Sequence, residues 1–181
     1  MKILEYTLIK DIMRNTNLEL SVENFQAEDK KFIFLDIDGV LVTRNTLKTR
    51  NSKDGFNNFD SECVKNLKQI LKETGAYIVL SSSWRSGNLQ RNLSIFKYRG
   101  LKFLDKIIGQ TGEHQELRGL EIKHWIDKHS ARRNNYVILD DDADMLYEQR
   151  KNFVQCSMEK GLTKALANKA IKILNKKLEI V

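Results

Sequence analysis

Three short stretches of this chain hold side chains able to do chemistry. In KFIFLDIDGVLV (Lys31–Val42), Asp36 and Asp38 stand two residues apart and Gly39 follows. The apolar run before them is long enough for one buried strand. Two carboxylates spaced by two along extended backbone point the same way and repel. That arrangement is costly unless a cation or an incoming phosphate uses the charge. Gly39 frees the backbone to turn away tightly. The second stretch is Ser81-Ser82-Ser83-Trp84-Arg85, after the apolar run Ala76–Leu80. The third is Asp140-Asp141-Asp142, after Tyr136–Leu139.

These stretches meet only if the elements before them are parallel strands. From Lys31 onward the pattern alternates strand and helix, which predicts an α/β domain with a mostly parallel sheet flanked by helices. Strands are expected at Phe32–Asp36, Ala76–Leu80, Lys106–Ile108, Tyr136–Leu139 and Asn152–Gln155. Helices are expected at Ser61–Thr74, Leu89–Tyr98, Arg118–His129 and Thr163–Lys177, with Gly75 and Gly100 as stops after the first two. In such sheets reactive residues gather at the carboxyl ends of the strands. A carboxylate cluster there needs a cation. All-oxygen ligation without His or Cys suits Mg2+, and Asp36, Asp38 and Asp141 fit it. The three histidines, His114, His124 and His129, lack ligand spacing. Asp144 reads as a helix-start charge and Trp84 as packing rather than a stacking platform.

With 181 residues, 41% apolar and 8% aromatic, the chain is long enough for one domain with a real core. Residues 1–30 form a polar-rich N-terminal extension, expected to pack on the main domain at 31–181. Within it Ile3–Ile12 fits a short helix or a strand equally. No apolar run is long enough to cross a bilayer. Charged residues among the first twenty argue against a signal peptide. Cys63 and Cys156 lack metal spacing and read as reduced thiols in a cytoplasmic protein. The net charge of +7 favours anionic partners without naming one.

The motifs FLDIDGVL, IVLSSSWR, RGLEIKHWI, YVILDDD and the GLT opening the last helix occur in that order. Through them the chain, from about Lys31 to Leu174, resembles the haloacid dehalogenase (HAD) superfamily. It is most similar to the HAD domain named for Swiss-Army-Knife RNA-repair proteins. The resemblance implies a Rossmann-like phosphatase core. Asp36 would attack phosphorus to form an aspartyl-phosphate. Asp38 would protonate the leaving oxygen and then activate water, with its backbone carbonyl on Mg2+. Ser81 would bond the transferring phosphoryl group, with Ser82 and Ser83 as alternatives. Asp140 and Asp141 would hold the metal. Where the superfamily usually has Lys, this chain has Arg118, which grips phosphate but donates no proton. Arg85 is a second candidate for that anchor.

The insertion at Thr43–Asp60 is too short for a cap domain and reads as a small flap carrying Arg44, Lys48, Arg50 and Lys53. A capless, open site suits a large substrate. Two enzyme readings stand: a phosphatase for nucleic-acid or nucleotide phosphate ends, in keeping with the RNA-repair resemblance, and a protein (phosphotyrosine) phosphatase. A third reading is a catalytically weak phosphate-binding regulatory module. The intact Asp36/Asp38 pair argues against it.

Overall fold

A computed structural model describes residues 30–48, 57–85, 88–112, 117–129 and 135–176. Among them five strands form one all-parallel sheet: β1 (Phe32–Leu35), β2 (Tyr77–Leu80), β3 (Ile107–Gln110), β4 (Tyr136–Asp140) and β5 (Phe153–Gln155). Their spatial order is β3-β2-β1-β4-β5, so β1 is central. Among the described residues four helices cover the sheet: α1 (Ser61–Thr74), α2 (Leu89–Tyr98), α3 (Arg118–Lys128) and α4 (Lys164–Leu174). This is the Rossmann-like α/β core expected of the sequence.

Alternation along β1 divides the core. Ile33 and Leu35 face one way, into the cluster built with α1, α2 and α4. Phe32 and Phe34 face the other, toward Ile122, Trp125 and Ile126 of α3. Both phenylalanines meet Trp125 edge-on, with ring centroids 5.2 and 5.4 Å apart. All four residues of β1 are fully buried, as the centre of a parallel sheet requires.

Register does the most for the site. Leu35 lies opposite Leu80 on one side and Leu139 on the other. The next residue of each chain, Asp36, Ser81 and Asp140, therefore sits at the same level on the carboxyl edge. Backbone bonds carry the ladder that far: Asp36 N–H donates to the Leu139 carbonyl at 3.0 Å, and Ser81 N–H to the Leu35 carbonyl at 2.9 Å.

Several boundaries differ from expectation. β1 stops at Leu35, because the chain then closes a tight turn in which the N–H groups of Leu41 and Val42 both donate to the Ile37 carbonyl, at 2.8 and 2.9 Å. β3 starts later and runs to Gln110, since Leu104–Lys106 is taken up by a 3-10 turn. The final helix opens at Lys164, with Thr163 as its cap. Residues 1–29 and 49–56 lie outside the described residues, and with them the N-terminal extension, Arg50 and Lys53. Among the described residues no helix is long and apolar enough to cross a membrane.

Candidate active site

The turn after β1 separates the two aspartates that the sequence places side by side. Asp36 continues the strand direction and is buried, while Asp38 is half-buried within the turn. Gly39 makes this possible at φ +71°, and a Cβ there would lie 2.2 Å from Asp141 Cγ. No side chain fits between the first motif and the acidic end of β4.

Asp36, Asp140 and Asp141 each bring a carboxylate oxygen within 4.8 Å of the others. The Asp38 carboxylate, which the sequence reading also offers to the cation, is not in this group; its Oδ2 accepts from Trp84 Nε1 at 2.8 Å. Burial drives the charge state. Desolvation lifts the Asp36 carboxyl to about 6, against the pull of Arg118. Asp140 is lifted to about 7 by burial and then by Asp36. Burial also raises Asp141. Asp140 Oδ2 is buried with no hydrogen-bond partner among the described residues. Three crowded carboxylates, one of them with an unpartnered buried oxygen, fit a hard divalent cation.

Arg118 faces the cluster. Its Nη1 lies 3.4 Å from Asp36 Oδ1, 3.5 Å from Ser81 Oγ and 3.8 Å from Asp140 Oδ2. Ser82 is buried beside Ser81, and its side chain acts with Arg118 to hold the Asp36 carboxyl down against the effect of burial. Ser83 is exposed in the following 3-10 turn. Arg85 is placed differently from Arg118. It is buried, and its Nη2 pairs with Glu121 Oε2 at 2.6 Å while Nη1 donates to the Ser82 carbonyl at 2.9 Å. The geometry thus offers Arg118 to an incoming anion and commits Arg85 to Glu121. Arg44 of the flap is likewise engaged, by Glu159 at 2.6 Å, whereas Lys48 is exposed.

Several contributors were not read from the sequence. Glu121 accepts from Arg85 and lies 3.9 Å from Arg118 Nε, so one buried carboxylate stands between two arginines. An acid three residues past Arg118, on the buried side of an amphipathic helix, was the available signal. Asp144 is a helix-start charge for another element. Its Oδ2 accepts from Arg118 N–H at 3.0 Å and its carbonyl from Gly119 N–H at 3.3 Å, capping α3. The thiols take no part: Cys63 and Cys156 are buried and free, and burial pushes Cys63 to about 11.

The family model for the HAD domain in Swiss Army Knife RNA repair proteins matches residues 32–167, from β1 into α4. The chain belongs to this family. Membership supports a HAD-type phosphatase in general, in a family that typically uses a metal ion. No curated protein matches. Among solved structures, the crystal structure of a hypothetical protein from Xanthomonas campestris is similar, at 15% identity and a TM-score of 0.48, covering 82% of this chain and 85% of that one. In this HAD domain the five sequence motifs correspond to the turn after β1, the end of β2, the start of α3, the end of β4 and the opening of α4.

Proposed function

We propose that this HAD domain is an Mg2+-dependent phosphomonoester hydrolase that works through an aspartyl-phosphate on Asp36. The observation that carries the reading is the seat of Asp36: a buried carboxylate grouped with Asp140 and Asp141 and faced by the Arg118 guanidinium. Asp36, Asp140 and Asp141 would hold the metal by their side chains, and Asp38 by its backbone carbonyl. Bound there, the cation would offset charge on the phosphoryl oxygens. Arg118 and Ser81 orient the phosphoryl group for attack by Asp36. Asp38, outside the carboxylate cluster, would give a proton to the leaving oxygen and then take one from water. Carboxylate attack forms the Asp36–phosphorus bond and breaks the ester bond. Water then releases inorganic phosphate and restores Asp36.

A polyanionic substrate, such as a nucleic-acid phosphate end, suits the surface. Lys65, Lys68 and Lys72 on α1 are exposed at i, i+3 and i+7, and so are Lys169, Lys172 and Lys176 on and just after α4. This spacing gathers each set on one side of its helix. The helices lie side by side, bridged by Lys164 to Gln69 and Gln69 to Asn168. The family's description as RNA repair points the same way.

The test is hydrolysis of an aryl phosphate, a phosphorylated oligonucleotide and a phosphotyrosine peptide, with Mg2+ or with chelator. Activity should need the metal and vanish in Asp36→Asn, whose amide cannot form the acyl-phosphate. Wild-type turnover in that variant overturns the mechanism. Replacing Lys68, Lys72, Lys172 and Lys176 by Gln should raise KM for the oligonucleotide only, and most at low salt. A peptide turned over far better than the oligonucleotide would replace the nucleic-acid reading with a phosphoprotein one.

A further inference from the structure

We propose that Trp84 is a positioning residue for Asp38, fixing which carboxyl oxygen carries the catalytic proton. The proposal rests on the phosphatase reading above and extends it to a residue that the HAD motifs do not assign. Trp84 Nε1 donates to Asp38 Oδ2 at 2.8 Å across 46 residues of sequence. An indole N–H is a donor only and does not titrate. A carboxyl oxygen that accepts from it cannot also hold a proton pointed at the same hydrogen. With Oδ2 occupied, the proton for the leaving group belongs on Oδ1.

The indole is itself fixed. Trp84 is 7% exposed and lies in the 3-10 turn Ser83–Arg85, directly past the carboxyl end of β2. Its backbone N–H donates to Ser82 Oγ at 3.3 Å. Phe59 packs on the ring with centroids 5.9 Å apart, and the Arg99 guanidinium lies 5.6 Å from the ring centroid. Arg99 is tied down in turn, donating from Nε to the Asn57 carbonyl at 2.7 Å and from Nη1 to the Ile95 carbonyl at 3.2 Å. Such packing leaves the N–H little freedom, so the hydrogen bond restrains a carboxylate that stands in a turn.

Packing alone would also explain a buried tryptophan, and the two roles separate by leaving group. Trp84→Phe keeps a ring against Phe59 and removes the donor. The kcat/KM for phosphate esters reports cleavage up to phosphoenzyme formation. A nitrophenol leaves without help, whereas an alcohol needs the proton. Trp84→Phe should therefore lose at most about threefold on nitrophenyl phosphate and roughly ten- to hundredfold on an alkyl phosphate, within the range of general acid catalysis. Phe59→Leu, which disturbs packing and leaves the donor, should lower both alike. Equal losses across the leaving-group series in Trp84→Phe, or no loss, overturn the proposal. A second measurement needs no turnover. The indole N–H resonance of Trp84, assigned against Trp125 with the Trp84→Phe variant, should shift in Asp38→Ala; an unmoved resonance also overturns the proposal. If wild type hydrolyses no phosphate ester, the phosphatase reading falls by itself, and the resonance alone decides whether Trp84 holds Asp38.

Discussion

At the scale of single residues, the two aspartates of the first motif differ in environment. Asp36 is stripped of water and set against Arg118, while Asp38 is half-exposed and held by a neutral donor. Asp38→Asn keeps the shape and removes proton transfer, so kcat should fall by about a hundredfold or more. Unchanged turnover of an alkyl phosphate would remove Asp38 from that role. The two arginines divide as sharply. Arg118→Ala strips the cluster of its facing cation and should raise KM and lower kcat while leaving the thermal midpoint nearly unchanged or higher. Arg85→Ala leaves Glu121 buried without its 2.6 Å partner, so it should destabilise the fold by about 3–5 kcal/mol. Kinetics and thermal melts on both variants would check the division. A stable Arg85→Ala enzyme with weakened phosphate affinity would reverse it. Residue types alone made the aspartates legible, because adjacent acids at the end of an apolar run have few uses. They did not separate the arginines, because the pairing that does so spans 36 residues.

At the scale of elements, the loop after β4 and the start of α3 act as one piece. Leu117 gives α3 no side-chain cap, and Asp144 supplies it from the far side of β4. Gln149 fastens the join, donating to the Gly119 carbonyl at 2.8 Å and accepting from Leu146 N–H at 2.9 Å. The stretch that carries Asp140 and Asp141 thereby sets where Arg118 stands. A Cβ on Gly119 would meet Leu146 N at 2.6 Å and Gln149 Oε1 at 2.7 Å. Helix propensity alone favours Ala over Gly by about 1 kcal/mol. Overpacking costs about 1–3 kcal/mol and acts against it. Gly119→Ala should lower the melting temperature and turnover together, since the shift displaces Arg118; a higher melting temperature with full activity would show the join to be slack. The bounds of α1 and α2 could be read in full from sequence because their signals are local. Asp60 accepts from the N–H groups of Glu62 and Cys63, Gly75 closes α1 in the left-handed region, and Asn88 caps α2. The Asp144 cap and the Trp84 bond are tertiary contacts that no local spacing encodes. The bounds of β3 were shifted because Gly109-Gln110 extends an edge strand past its short apolar pair, with nothing apolar to mark the end.

At the scale of the whole molecule, the site sets a charge on the fold that the metal should relieve. Asp36 and Asp140 sit at about 6 and 7 in the folded chain, above an ordinary value of 3.8. Below about pH 4 they are protonated in the folded and unfolded chain alike. Between there and about pH 7 the folded chain binds more protons than the unfolded one, so their contribution to stability falls as pH rises. Above that range both carboxylates are ionised and crowded, and a divalent cation held by them would bind only the folded arrangement. Chelated protein should therefore lose melting temperature between pH 5 and pH 8, and added Mg2+ should restore more at pH 8 than at pH 5. At about a hundred times Kd the gain would be about 2.7 kcal/mol, or roughly 5–11 °C for a chain of this length. Other groups titrate over the same range, so Asp140→Asn supplies the reference. It removes one raised carboxyl and one ligand, and should show a flatter pH dependence in chelator and a smaller gain from Mg2+. Parallel curves for wild type and Asp140→Asn would show that the carboxylate cluster carries no linked charge. A gain from Mg2+ that is the same at both pH values would place the ion elsewhere on the protein.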